Sequence, residues 1–289
     1  MVNAIVQDKK GYLWFGTWDG LNQYDGYTFR IFNTNNGMSN PTVNALLEDR
    51  DGDLWIGTQN GLNRYDRKNR SFITYHHVPG ESNSLSNNTI NHLYQDSKGL
   101  LWISTVNGLT KYDILNETYS RINFNSPGVD TTLTNWVNKV VEDRFGNFWI
   151  ATRYGLLMYN ETNHSFKPFF HDPDDPASLS HNEVIELYED PDGRLWIGTR
   201  SGLNLYLGED EGFRCYYHEL GDPRSISNNV VKAIYQDSHG VFWVGTQKEL
   251  NIMDPEKGMF RHFRNTGKPT SLSSDDVNCI YEDNAGSVW

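Results

Sequence analysis

Only two cysteines, Cys215 and Cys279, occur in 289 residues, so a disulfide framework is excluded as the source of stability. No apolar run reaches membrane-spanning length, and residues 1–30 lack the basic start and apolar core of a signal peptide. Basic residues are scarce: 25 Lys and Arg stand against 37 Asp and Glu, a formal net charge of −12. Such a surface repels phosphate and argues against a nucleic-acid partner, and it gives no signal for a membrane surface. The motifs G-x-S-x-G, H-E-x-x-H, G-x-x-x-x-G-K-[ST] and C-x-x-C are missing, which removes the usual signatures of hydrolases, zinc proteases, P-loop enzymes and redox dithiols. No metal, cofactor or catalytic residue is expected. Nothing between the turn residues is long enough to be a helix.

What is plentiful is aromatic side chain, 13% of the sequence against 37% for all hydrophobic types. A core built this way rests on large rings, each stabilising by at most about 4 to 6 kcal/mol when fully buried. Seven tryptophans, Trp14, Trp55, Trp102, Trp149, Trp196, Trp243 and Trp289, are separated by 41, 47, 47, 47, 47 and 46 residues. Each closes the same block, Asp8-x-x-Gly11-x-x-Trp14, Asp49-x-x-Gly52-x-x-Trp55 and so on to Asp283-x-x-Gly286-x-x-Trp289. A second block follows, as in Gly57-Thr58-x-x-Gly61-Leu62-x-x-Tyr65-Asp66. A period of this length belongs to propeller blades or helical arrays. The content decides between them. Val43-Asn44-Ala45-Leu46-Leu47, Leu54-Trp55-Ile56-Gly57-Thr58, Leu62-Asn63-Arg64-Tyr65 and Phe72-Ile73-Thr74-Tyr75 are short apolar and β-branched runs bounded by Gly, Asp and Asn. They read as four antiparallel strands per unit.

The expected fold is therefore an all-β propeller with six complete four-stranded blades plus a partial seventh. It spans one domain, 1–289, with blades at about 1–36, 41–83, 88–130, 135–177, 182–224 and 228–270 and the partial blade at 275–289. Stopping mid-strand at Trp289 suggests a fragment of a longer polypeptide whose missing part completes or extends the ring. Ser104 and Ala151 replace the Gly of G-T, and Glu249 and Met253 replace Gly and Tyr in blade 6, so the second turn there is expected to be reshaped. Cys215 falls on an outer strand and Cys279 on an inner one, too far apart to bridge. The acidic turn Asp49-Arg50-Asp51-Gly52-Asp53 lacks the twelfth-position glutamate of a calcium loop, and its aspartate is expected to cap backbone amides. Asp172, Asp174 and Asp175 read as a solvated loop. His76, His77, His164, His171, His181, His218, His239 and His262 show no ligand spacing. His92 shares an inner-strand slot with Lys139 and Glu186, which reads as a satisfied channel wall before it reads as a ligand site.

The repeated D-x-x-G-x-[LF]-W-[IFV]-G-T-x-x-G-L-x-x-Y-D block, followed by Ser84-Leu85-Ser86-Asn87-Asn88, resembles the two-component regulator propeller family over essentially the whole chain. The resemblance implies seven-bladed propellers, commonly in tandem, in the periplasmic part of hybrid sensor kinases. There they precede an immunoglobulin-like domain, a membrane span and a cytoplasmic histidine kinase, and many sense oligosaccharides. It implies an extracytoplasmic location, a carbohydrate ligand, and contact with further domains of the same polypeptide or a dimer partner.

Positions that vary inside a fixed frame are free to carry recognition. Two places stand out. One is the pair between G-T and G-L: Trp18-Asp19, Gln59-Asn60, Val106-Asn107, Arg153-Tyr154, Arg200-Ser201 and Gln247-Lys248. The other is the run before each first strand, including Asn88, Asn135-Trp136, His181-Asn182 and Asn229. If first strands are innermost, both meet on one face around the channel mouth. Candidate ligand contacts are Trp18, Asp19, Gln59, Asn60, Asn107, Trp136, Arg153, Tyr154, Arg200, Gln247 and Lys248. Planar amides and guanidiniums suit sugar hydroxyls, aromatic rings suit the C–H side of a pyranose, and Arg153, Arg200 and Lys248 favour an anionic sugar. Two other classes remain open: a protein-interaction scaffold using the same face, and a polysaccharide lyase or glycosidase, which needs paired carboxylates or a His/Tyr/Arg set near the axis.

Overall fold

Each Asp-x-x-Gly-x-x-Trp block closes a tight turn whose geometry is set by one carboxylate. Asp49 accepts the backbone N–H groups of Asp51 and Asp53 at 3.0 and 2.9 Å on Oδ1, and the indole N–H of Trp55 at 2.7 Å on Oδ2. Gly52 follows at φ 88°, a left-handed conformation that favours glycine. The indole bond recurs at 2.7–2.9 Å from Asp8–Trp14 through Asp283–Trp289. The expected amide cap is present, and it also holds the ring that packs the blade.

A computed structural model describes residues 1–124 and 135–289. It is all-β: six four-stranded antiparallel blades at residues 2–32, 43–75, 90–122, 137–169, 184–216 and 231–263, each a meander in sequence order. This is a β-propeller. One 3-10 turn, Thr34–Asn36, lies in the shortened first linker, capped by Asn33 and ended by Gly37. The stretch expected out to residue 130 in blade 3 lies partly outside the described residues. Residues 275–289 keep the Asp283 turn, but in place of two strands they form an isolated Glu282–Val288 bridge. Cys279 is accordingly in no strand, while Cys215 sits in the fourth strand Gly212–Tyr216, and neither forms a disulfide.

The chain forms two compact units, residues 1–142 and 143–289. Within each, the core lies between consecutive sheets. In the first unit, Trp14, Leu21 and Phe32 pack with Val43, Leu54, Ile56 and Tyr65, and Trp55, Leu62 and Leu85 pack with Ile90, Leu101 and Tyr112. In the second, Trp196 and Leu203 pack with Val231, Phe242 and Phe260. First strands lie beside first strands, Val2–Gln7 against Val43–Glu48 and Val184–Glu189 against Val231–Gln236. The glycine of G-T permits this approach: a Cβ on Gly57 would lie 2.6 Å from Ile90 Cγ2. A one-residue bulge in the first strands leaves Asn44 and Asn91 without a ladder partner. Their amides reach across instead, Asn44 to Ile90 O at 2.9 Å and Asn91 to Val137 O at 2.8 Å.

Blade 6 carries the reshaped turn expected from Glu249. In blade 2, Gly61 (φ 119°) pairs with Thr58 and donates its N–H to Asn88 O. In blade 6 the last pair is Gly245–Leu250, and the Glu249 N–H goes to Thr246 Oγ1 at 3.1 Å.

Candidate functional site

The turn between second and third strands is built around a threonine. In blade 2, Thr58 Oγ1 donates to Gly61 O at 2.8 Å and accepts the Asn60 N–H at 3.1 Å. The same bonds fix the turns of Asp19, Asn107, Tyr154, Ser201 and Lys248. A serine from the linker joins each buried threonine in four blades: Ser39 to Thr58, Ser86 to Thr105, Ser180 to Thr199 and Ser227 to Thr246, at 2.8–3.1 Å. Asn63, Asn204 and Asn251 complete the set from the third strand. These polar groups are buried or half-buried and paired, which makes the turn frame rigid.

Neighbouring turns are stitched together through the linkers. Thr42 Oγ1 donates to Trp18 O at 3.2 Å while Thr42 O accepts from Gln59 N at 3.1 Å. Thr89 repeats this between Gln59 O and Val106 N. In the second unit, Arg200 N donates to Glu183 O and Gln247 N to Val230 O. Because Val43 pairs with Thr58 and Val184 with Thr199, the start of each first strand and this turn share one end of the blade. The structure thus brings Trp18, Asp19, Gln59, Asn60 and Asn107 to one end of the first unit, and Arg153, Tyr154, Arg200, Gln247 and Lys248 to the matching end of the second.

Their surroundings differ. Trp18 is 61% exposed and Tyr154 37%, the latter leaning on Phe170 at 5.6 Å. Arg200 faces Glu183 at 3.6 Å. Trp136 is half-buried and donates its indole N–H to Asn138 at 3.0 Å. Asn107 lines a depression of about 550 Å³ together with Asn87, Asn123, Asn135, Arg121 and Phe124. Arg121 is already engaged there, with Glu81 O at 2.8 Å and Ser84 Oγ at 3.0 Å.

Several polar groups in the run before the first strands are committed to the fold. Asn88, Asn182 and Asn229 accept the N–H of His77, His171 and His218 at 2.6–2.7 Å. Those histidines donate Nδ1–H to Leu85, Leu179 and Ile226 carbonyls at 2.6–2.8 Å. His181 accepts the Glu183 N–H on Nδ1 at 2.9 Å, and burial holds its pKa below the usual histidine value. Sequence reading missed the hooks formed by the three histidines, although the shared spacing from His to Asn was visible in all three linkers. Asp172 and Asp175 cap their own loop through Asp174 N and Ala177 N. Among the described residues no group of three His, Cys, Asp or Glu side chains is placed to hold a metal.

Departing from the expected satisfied wall, His92 Nδ1 is buried without a partner, and burial together with Lys139 holds this imidazole well below the ordinary histidine pKa.

The family model described as "Two component regulator propeller" matches residues 1–19, 37–60, 84–107, 178–201 and 225–248, each time ending in the turn just described. Those five stretches are similar to two-component regulator propeller repeats. The chain is similar over its whole length (26% identity, TM-score 0.85) to the extracellular domain of a protein described as a putative hybrid two-component system from B. thetaiotaomicron. This chain spans 38% of that one. A 31-residue stretch is 61% identical to histidine kinase P4 of Formosa agariphila, covering 11% of this chain and 2% of that protein. Virginiamycin B lyase from Staphylococcus aureus shares the fold alone, at 11% identity and TM-score 0.70 over 99% of this chain and 89% of the lyase. Four of the matched windows run from the linker serine through the Trp turn to the variable pair after the second strand, which are the parts bound into one hydrogen-bonded frame.

Proposed function

We propose that this propeller is the non-catalytic, extracytoplasmic sensing part of a hybrid two-component signalling protein, and that it takes an oligosaccharide on the turn face. The observation carrying this reading is a contrast within one frame. The backbone of every second turn is fixed by threonine and linker bonds, while the side chains it presents change from Trp18 and Asp19 to Gln59 and Asn60, Arg153 and Tyr154, and Gln247 and Lys248. Rigid presentation lowers the ordering cost of binding. Exposed Trp18 and Tyr154 offer stacking faces, and the depression beside Asn107 offers amides. Ligand would act by favouring one arrangement of the propeller with further domains of its polypeptide or with a dimer partner, which requires different affinities for the two arrangements.

Calorimetric titration with a panel of neutral and acidic oligosaccharides tests the proposal. Binding without new reducing ends is expected. Absence of heat across the panel would point to a protein-interaction scaffold, and new reducing or unsaturated ends to a lyase or glycosidase.

A further inference from the structure

The linkers that enter the first strands are capped at one shared position. Ahead of blades 2, 3 and 6, Asn40, Asn87 and Asn228 accept the N–H two residues further on at 2.8–3.0 Å. Their amide oxygens accept at any pH. Ahead of blade 5 the cap is His181, whose Nδ1 accepts the Glu183 N–H at 2.9 Å. An imidazole nitrogen accepts only while it carries no proton, so this cap is lost when the ring is protonated. Of these four caps it alone rests on a titratable group.

Glu183 joins that cap to the variable pair of blade 5. Its carbonyl accepts the Arg200 N–H at 3.0 Å, and its carboxylate stands 3.6 Å from the Arg200 guanidinium. The Arg200 side chain is 60% exposed, so it faces solvent with its charge partly cancelled, and an exposed ion pair of this kind is weak enough to yield to a competing partner. The charged and titratable groups facing His181 are Glu183, His171 from the same linker, and Arg200 from the second turn. His171 donates Nδ1–H to Leu179 O, a bond that either of its protonation states can make. Alongside runs the blade 4 turn that carries Arg153, tied on by the bond from Gly155 N to Asn182 O at 2.6 Å. Burial is the largest influence on the His181 imidazole and lowers its pKa; Glu183 opposes it, while His171 and Arg200 add to it. The ring is therefore neutral at physiological pH and takes up its proton on the acid side.

We propose that His181 is a pH-sensitive gate on anion binding at the turn face of the second unit: once protonated, it draws the Glu183 carboxylate away from Arg200 and frees the guanidinium for a sulfate or carboxylate group of a sugar. The proton comes from solvent and settles on Nδ1, which changes from acceptor to donor. The Glu183 N–H loses its partner and the Glu183 carboxylate gains one. Affinity for an anion accordingly rises as pH falls. The gate rests on the ligand reading above and adds its regulation.

Nitrogen-15 NMR of the ligand-free protein reads the switch itself. Between about pH 7.5 and about pH 5 the His181 ring should gain its Nδ1 proton, and exchange of the Glu183 amide, corrected for its intrinsic rate, should quicken by roughly tenfold. Calorimetry with sucrose octasulfate, whose sulfate esters stay ionised throughout, reads the consequence: affinity should rise by roughly threefold to tenfold over the same range. His181→Asn installs the cap of blades 2, 3 and 6 and should abolish the amide response and most of the rise. Glu183→Gln should bring the affinity at the higher pH close to the wild-type value at the lower. A Glu183 amide that stays protected in acid, a rise that His181→Asn leaves intact, or an affinity unchanged by Glu183→Gln overturns the gate and leaves the ligand reading standing. No binding of sucrose octasulfate at either pH, with the amide still responding, counts against an anionic ligand on this face and overturns the gate with it.

Discussion

A buried aspartate beside an indole is costly unless its oxygens are hydrogen-bonded, and here both are: Asp96, fully buried, takes Lys98 N and Leu100 N on one oxygen and Trp102 Nε1 on the other, at 2.7–3.0 Å. Ser104 shows the opposite case. It stands where the other blades have glycine or Ala151, its Oγ is buried, and it has no hydrogen-bond partner. Ser104→Ala keeps the Cβ and removes the stranded hydroxyl, so stability should rise by about 1 kcal/mol in urea unfolding; a fall would mean that the hydroxyl is satisfied. His92 is a second residue-level lever. Its pKa is held well below the ordinary histidine value by burial and then by Lys139. The unfolded chain therefore takes up a proton that the fold refuses. The contribution to stability is complete above about pH 6.5 and is lost as pH falls below it. Between pH 7.5 and 5.5 the loss should reach about 1 kcal/mol. Urea midpoints of the wild type and His92→Gln at both pH values check this, and equal pH slopes would refute it.

At the scale of the element, the second turn is the unit that matters. Thr105 Oγ1 accepts Asn107 N at 3.1 Å, donates to Gly108 O at 2.7 Å and meets Ser86 Oγ at 3.1 Å. Thr105→Val preserves shape and removes all three, so a loss of about 2 to 3 kcal/mol is expected by chemical denaturation. A change under about 0.5 kcal/mol, the level of an ordinary surface substitution, would show that the turn holds itself. The strand order and the Trp turn were legible in sequence because both depend on residues within one blade, such as Asp49, Gly52 and Trp55. The bulge amides of Asn44 and Asn91 were not legible, because their partners, Ile90 O and Val137 O, come 46 residues later. Nor did spacing alone reveal that Asn88, Asn182 and Asn229 are spent on His77, His171 and His218.

For the whole molecule, a net charge of −12 means that an anionic ligand needs local cations. Arg153, Arg200 and Lys248 supply them at one end of the second unit, with Arg200 partly offset by Glu183 at 3.6 Å. In the second unit, Arg153→Ala should weaken the binding of an acidic glycan by on the order of tenfold, about 1.4 kcal/mol, and in the first unit Trp18→Ala should weaken a glycan bound there by a similar factor. Both side chains are exposed, so neither change should move the melting temperature by more than roughly 2 °C. Unchanged affinity in both, or a large fall in melting temperature, would argue against this face.

The sequence by itself determined a chain of four-stranded blades, because turn chemistry and ring spacing act over a few residues and repeat with a fixed period. Only the tertiary structure decided which polar side chains remain available and which rings stay bare. A hydrogen bond or a stacked face is completed by whatever the neighbouring blade brings, and that neighbour is tens of residues away in the chain.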